Sequence, residues 1–164
     1  MLLAKFSLEV QIKYVHLIAR QLTPMPNVHA NRMRTRCMYA LKALMILRPE
    51  AVARHAAAVA TCLDDTYLSN ATNVDTECNL VQLVALRIMC GLPLDVQAPY
   101  TETMVARCLD TDSGVESRDL CAFSLASATE KKARLHHAAT VERILNSAWP
   151  TRMVRLVVLA KVVR

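Results

Sequence analysis

The sequence predicts an all-α fold, a solenoid of about four antiparallel helix pairs, and three observations carry that prediction. A five-residue phrase recurs four times at the ends of apolar stretches: Ile18-Ala19-Arg20-Gln21-Leu22, Val59-Ala60-Thr61-Cys62-Leu63, Val105-Ala106-Arg107-Cys108-Leu109 and Val141-Glu142-Arg143-Ile144-Leu145. The final leucines lie 41, 46 and 36 residues apart, the period range of stacked helical repeats. Two glycines among 164 residues, with 54% hydrophobic side chains, exclude disorder and disfavour a sheet. Ala, Leu, Met and Arg, all good helix formers, dominate instead.

The elements follow in order. Apolar positions Phe6, Val10, Ile12, Val15, Leu17, Ile18 and Leu22 predict a first helix from Leu3 to Leu22. Pro24 and Pro26 end it, since proline lacks the amide donor and pushes its predecessor toward extended backbone. A second helix starts near His29 or Asn31 and runs to Leu47, and Pro49 with Glu50 opens a third that reaches Leu63. Residues 64–76 are polar and read as the longest loop. The fourth helix spans Glu77 to Cys90, with Gly91 as its C-terminal cap and Pro93 just beyond. Asp95 to Tyr100 reads as a short connection, and helix five covers Pro99 to Leu109. Asp112-Ser113-Gly114 turns the chain into helix six, Val115 to Ala128. Helix seven, opening at Thr129, reaches Ala148, and Trp149-Pro150 precedes helix eight from Thr151.

The second helix of each pair also repeats. Arg34, Cys37 and Ala40-Leu41 align with Asn79, Gln82 and Ala85-Leu86, with Arg118, Cys121 and Leu125, and with Arg152, Arg155 and Val158-Leu159. A first helix ending in Leu before an Asp-containing turn, and a second opening on an apolar-Arg pair, resembles HEAT (or armadillo-type) repeats. Met33-Arg34 and Val154-Arg155 carry the resemblance best; the second repeat departs from it, with Asn79 or Leu80 where the Arg would sit. The resemblance covers nearly the whole chain, in repeats of about 1–47, 49–90, 97–128 and 129–164, and implies one solenoid domain over 1–164 with a right-handed superhelical stack.

Charge is zoned along the chain. Residues 1–55 hold nine Lys/Arg against two Asp/Glu, residues 56–128 three against ten, and residues 129–164 eight against two. A solenoid lays sequence out along its axis, so basic, acidic and basic zones are expected in space. Two basic clusters are the candidate partner-binding residues: Arg32, Arg36, Arg48 and Arg54 in the first, Lys131, Lys132, Arg134 and Arg143 in the second. Arg32 and Arg36 share a face at i,i+4, while Arg34 points elsewhere and serves packing. Arginine outnumbers lysine 14 to 6, which suits bidentate contact with carboxylate or phosphate. Aromatic residues number seven, a thin platform for base stacking, so any nucleic-acid contact is expected to be with the backbone.

Catalytic and metal signatures were sought and not found. Gly91 and Gly114 lie in no phosphate-binding loop, and no nucleophile elbow occurs. His136 and His137 are adjacent, hence about 100° apart on a helix and a poor chelate. His16, His29 and His55 read as isolated, and Asp64-Asp65 and Asp110/Asp112 as turn residues. The six cysteines form no CxxC pair and read as buried free thiols of an intracellular reducing compartment: cytoplasm, nucleus or, still open, the mitochondrial matrix. Asn70-Ala71-Thr72 fits a glycosylation sequon that such compartments leave unused. No run of apolar residues is long enough to span a bilayer, so no membrane insertion is expected.

Helix eight is apolar almost all round, and Met153, Leu156 and Val163 are expected to be covered by a partner or by more of the array. Together these observations predict a non-enzymatic scaffold or adaptor subunit that binds other proteins, without cofactor or small-molecule substrate. The alternatives are a nucleic-acid-associated subunit and a piece of a longer transport or trafficking solenoid.

Overall fold

The computed structural model describes residues 5–22, 28–63, 75–109, 115–128 and 130–147, with side chains at 28–32, 75–80, 115–120 and 147 left aside. Among the described residues every regular element is helical and no strand occurs, as an all-α chain requires.

Helix α1 runs Leu8–Arg20, starting later than the expected Leu3. Ser7 explains the start: its backbone is extended (φ −60°, ψ 158°) and its hydroxyl accepts from the Val10 amide at 3.4 Å. Gln11, buried at the next turn, donates from its side chain to the Phe6 carbonyl at 2.9 Å and holds the incoming chain. Helix α2, Val28–Leu47, matches the expected second helix within a residue.

The expected third helix is two pieces, α3 (Pro49–Ala53) and α4 (Ala56–Ala60). His55 leaves helical geometry (φ −113°, ψ 18°), and its amide turns back to the Val52 carbonyl at 2.9 Å. No local breaker marks the place, because alanines 56–58 have the highest helix propensity. A contact from another helix accompanies the break: the His55 ring lies 5.3 Å from that of His16 on α1.

Helix α5 spans Asp75–Gly91. Gly91 is its last residue and does not form the expected left-handed cap, since no described glycine has positive φ. Pro93, extended at ψ 150°, ends the run instead. The expected connection after it is helical: α6 (Leu94–Gln97), a 3-10 turn (Ala98–Tyr100) and then α7 (Thr101–Leu109), which starts after Pro99. The free amide of Leu94 at the start of α6 is capped by Glu130, whose carboxylate accepts at 3.1 Å from 36 residues away. Helices α8 (Val115–Ala126) and α9 (Lys131–Ser147) complete the described elements. The expected eighth helix from Thr151, with Met153, Leu156 and Val163, lies outside the described residues, as do most of the 64–76 loop and the Asp110/Asp112 turn.

The chain divides into two compact units, Met1–Met89 and Cys90–Arg164. In the first, α1 packs on α2, α3 and α4 over a core including Val15, Leu22, Met38, Leu41, Leu44, Val52 and Leu63. In the second, α8 pairs along α9 and α7 packs on both, with Leu92, Met104, Leu125 and Ile144 buried among them. Residues 81–90 of α5 are buried on every side except at Arg87.

Burial differs sharply along α2, where Leu41 is fully enclosed and Ile46 is 81% exposed. Leu41→Ala is expected to cost about 3 kcal/mol and Ile46→Ala less than about 0.5 kcal/mol, read from urea unfolding midpoints. Equal losses at the two positions would contradict this packing.

Candidate functional site

The basic residues of the first unit do not form one patch. At 100° per residue, α2 turns Arg34 to the side opposite Arg36 within two positions. Arg34 is only 2% exposed, and its Nη2 donates to the Cys62 sulfur at 3.4 Å. The Cys62 thiol in turn donates to the Ala58 carbonyl at 3.7 Å. The buried guanidinium thus ties α2 to the end of the repeated phrase Val59–Leu63, the packing role expected of it. Arg48 is half-buried just after α2, where its Nη1 donates to the Leu47 carbonyl at 2.9 Å and serves the helix C-terminus. Arg36 and Arg54 point outward, and Arg32 sits one turn before Arg36 on α2.

Several apolar side chains of this unit stay outside the core. On α1 only Gln11, Val15 and Ala19 are buried, while Leu8, Ile12, Tyr14 and Leu17 are exposed, as is Phe6 just before the helix. The Phe6 and Tyr14 rings contact each other with centroids 6.2 Å apart. The expected single apolar stripe of this helix is therefore divided: Val15 and Ala19 face the core, while Tyr14 and Leu17 form an open side. The signal was present in the spacing: 100° steps place Tyr14 and Leu17 well away from Val15 and Ala19. On α2, Met33, Tyr39 and Ile46 are exposed in the same way.

In the second unit, Lys131, Lys132 and Arg143 of α9 are exposed, whereas Arg134 is half-buried and donates to the Ala128 carbonyl at 2.8 Å. Lys131 and Lys132 occupy the first turn of α9 without an acidic residue there, an unfavourable place for cations beside the helix dipole.

Buried titratable groups lie behind these surfaces. His137 is 1% exposed and its Nε2 lies 2.9 Å from the Gln97 side-chain oxygen. Gln97 spends its amide on the Leu92 carbonyl at 2.6 Å, which leaves its oxygen to accept and fixes the His137 proton on Nε2. Burial, with His136 nearby, lowers the His137 pKa from the ordinary 6.5 to about 4. The two rings meet edge-on at 5.2 Å, one inward and one outward. His16 and His55, which read as isolated in sequence, meet across α1 and the α3–α4 break. Burial, then His16 and then Arg54, hold the His55 pKa below its usual value.

Five cysteines (37, 62, 90, 108 and 121) are buried free thiols, as expected. Cys108 hydrogen-bonds Cys121, and that bond together with burial pushes its thiol well up; burial, with Cys121 nearby, does the same to Cys90. Raised thiols make poor nucleophiles at neutral pH. Among the described residues no group of three His, Cys, Asp or Glu is arranged to hold a metal ion. Nor is any helix among them long and apolar enough to cross a membrane. Comparison with family models, curated proteins and solved structures finds no match to the chain.

The depressed His137 pKa has a definite consequence for stability. The unfolded chain takes up the proton near pH 6.5 and the folded chain only near pH 4, so protonation favours unfolding. The contribution is complete above pH 6.5 and is lost as pH falls through 4, up to about 3 kcal/mol. His137→Gln is expected to flatten the fall in thermal midpoint over that window, measured by circular dichroism; an unchanged slope would refute the assignment.

Proposed function

We propose that the chain is a non-enzymatic scaffold or adaptor subunit, a short HEAT-like solenoid that binds other proteins through its helical faces. The second, open apolar face of α1 carries this reading. Tyr14 and Leu17 are large and exposed, with Phe6 just before the helix in ring contact with Tyr14, while smaller Val15 and Ala19 fill the core. Side chains of that size grouped on one helix mark a surface that another molecule covers. Helical side chains in fixed positions are also well suited to recognition, since they are held before the partner arrives. Free, buried thiols fit the reducing intracellular compartment proposed for such a subunit.

A second reading, contact with nucleic-acid backbone, is favoured by Lys131 and Lys132, exposed in the first turn of α9, which itself holds no acidic residue although Glu130 precedes it. A phosphate would relieve that arrangement.

A photo-cross-linking residue placed at Tyr14 distinguishes the two. The adaptor reading expects a discrete protein adduct, co-eluting with the chain on size exclusion and reduced at least about tenfold by Leu17→Glu. A chain that stays monomeric and unlinked, yet binds RNA or DNA with affinity falling steeply in salt, would overturn it in favour of the second reading.

A further inference from the structure

We propose that the outward face of α2 is a docking seam for an acidic amphipathic helix of a partner protein, with Tyr39, Ala43 and Ile46 forming the seam and Arg36 and Lys42 beside it. The proposal deepens the adaptor reading and rests on it.

Spacing comes first. Tyr39 and Ile46 are seven residues apart with Ala43 between them, so they project along nearly one line of the helix. The opposite side is occupied: Met38, Leu41 and Leu44 are fully buried. Ile46 is 81% and Tyr39 45% exposed, so the line is apolar and open. Ala43, small and only partly exposed, leaves a gap between two larger side chains. A knob from a second helix fits such a gap and brings the axes to about 8–10 Å.

Charge selects the partner. Helix α2 contains four Lys/Arg and no Asp or Glu, and no carboxylate side chain occurs from Val10 to Pro49. With Arg34 buried, Arg36 and Lys42 remain beside the seam, Arg36 exposed and Lys42 partly so. A helix with carboxylates flanking its own apolar stripe would pair with both, whereas a basic helix would meet like charge. Nucleic acid satisfies the cations but leaves Ile46 without an apolar contact, and one tyrosine is a small stacking platform. A bilayer needs a broad apolar face to insert, and here the open apolar line is one side chain wide.

The test uses fluorescence anisotropy with a designed peptide of about three heptads, Leu at the a and d positions and Glu at e and g. Its twin carries Lys at e and g; single-stranded RNA, duplex DNA and phosphatidylcholine–phosphatidylserine vesicles are the other probes. The acidic peptide is expected to bind at least about tenfold more tightly than its basic twin, and Tyr39→Gln with Ile46→Gln to weaken it about tenfold. Arg36→Glu with Lys42→Glu should reverse the preference toward the basic twin, a result that general stickiness would not produce. These side chains are exposed or partly so, and an unchanged melting curve confirms that each variant is folded. Equal binding of the two peptides overturns the proposal, as does wild-type affinity in the glutamine variant. So does tighter binding of RNA, DNA or vesicles that the same substitutions abolish. If the α2 seam fails while the Tyr14 adduct persists, the adaptor reading stands without this seam; if the adduct is also absent, both fall.

Discussion

Helices that pack without large rings between them must come close, and the interior of this chain is composed accordingly. Ala19, Ala51, Ala56, Ala60, Ala85, Ala122, Ala126, Ala128 and Ala133 are buried, as are five cysteines, while the remaining core is Val, Leu, Ile and Met. No aromatic side chain is among the buried core residues described; Phe6, Tyr14 and Tyr39 are exposed. Small side chains let helix surfaces interlock at short range, and the ring enclosed among the described residues is the compact imidazole of His137. The same constraint that builds the core leaves Phe6, Tyr14, Tyr39 and several long aliphatic side chains outside, where they are open to a partner.

Close packing also dictates how polar groups are treated inside. A guanidinium buried at Arg34 is met by the sulfur of Cys62, a soft acceptor supplied by a core residue. His137 is met by Gln97, which itself is held by the Leu92 carbonyl. These bonds join helices distant in sequence and give the interior specific partners, since a buried polar group without one is costly. The His137 bond brings sensitivity to acid, because burial lowers the pKa of that imidazole to about 4.

Much of the architecture was legible locally. Proline and polar clusters marked α2, α8 and α9 closely, and the absence of paired cysteine motifs pointed to buried free thiols. The basic cluster was harder. Arg34, set apart by its spacing, is enclosed as expected. The candidate residues looked alike in sequence, and of these Arg48 and Arg134 bond to backbone carbonyls while Arg36, Arg54, Lys131, Lys132 and Arg143 face outward. Spacing could separate Arg34 from Arg36, but it could not show which carbonyls Arg48 and Arg134 would reach.

The sequence by itself determined that the chain is helical, where prolines interrupt it, and that its charge is grouped in blocks, because propensity and charge are properties of neighbouring residues. Only the tertiary structure decided that the third helix breaks at His55 beside His16, that Glu130 caps α6, and which apolar side chains stay outside. Each of these depends on a contact between residues far apart in the chain, or on which side of a helix its neighbours cover first. Period alone marks an apolar stripe; whether another helix lies against it is settled by packing.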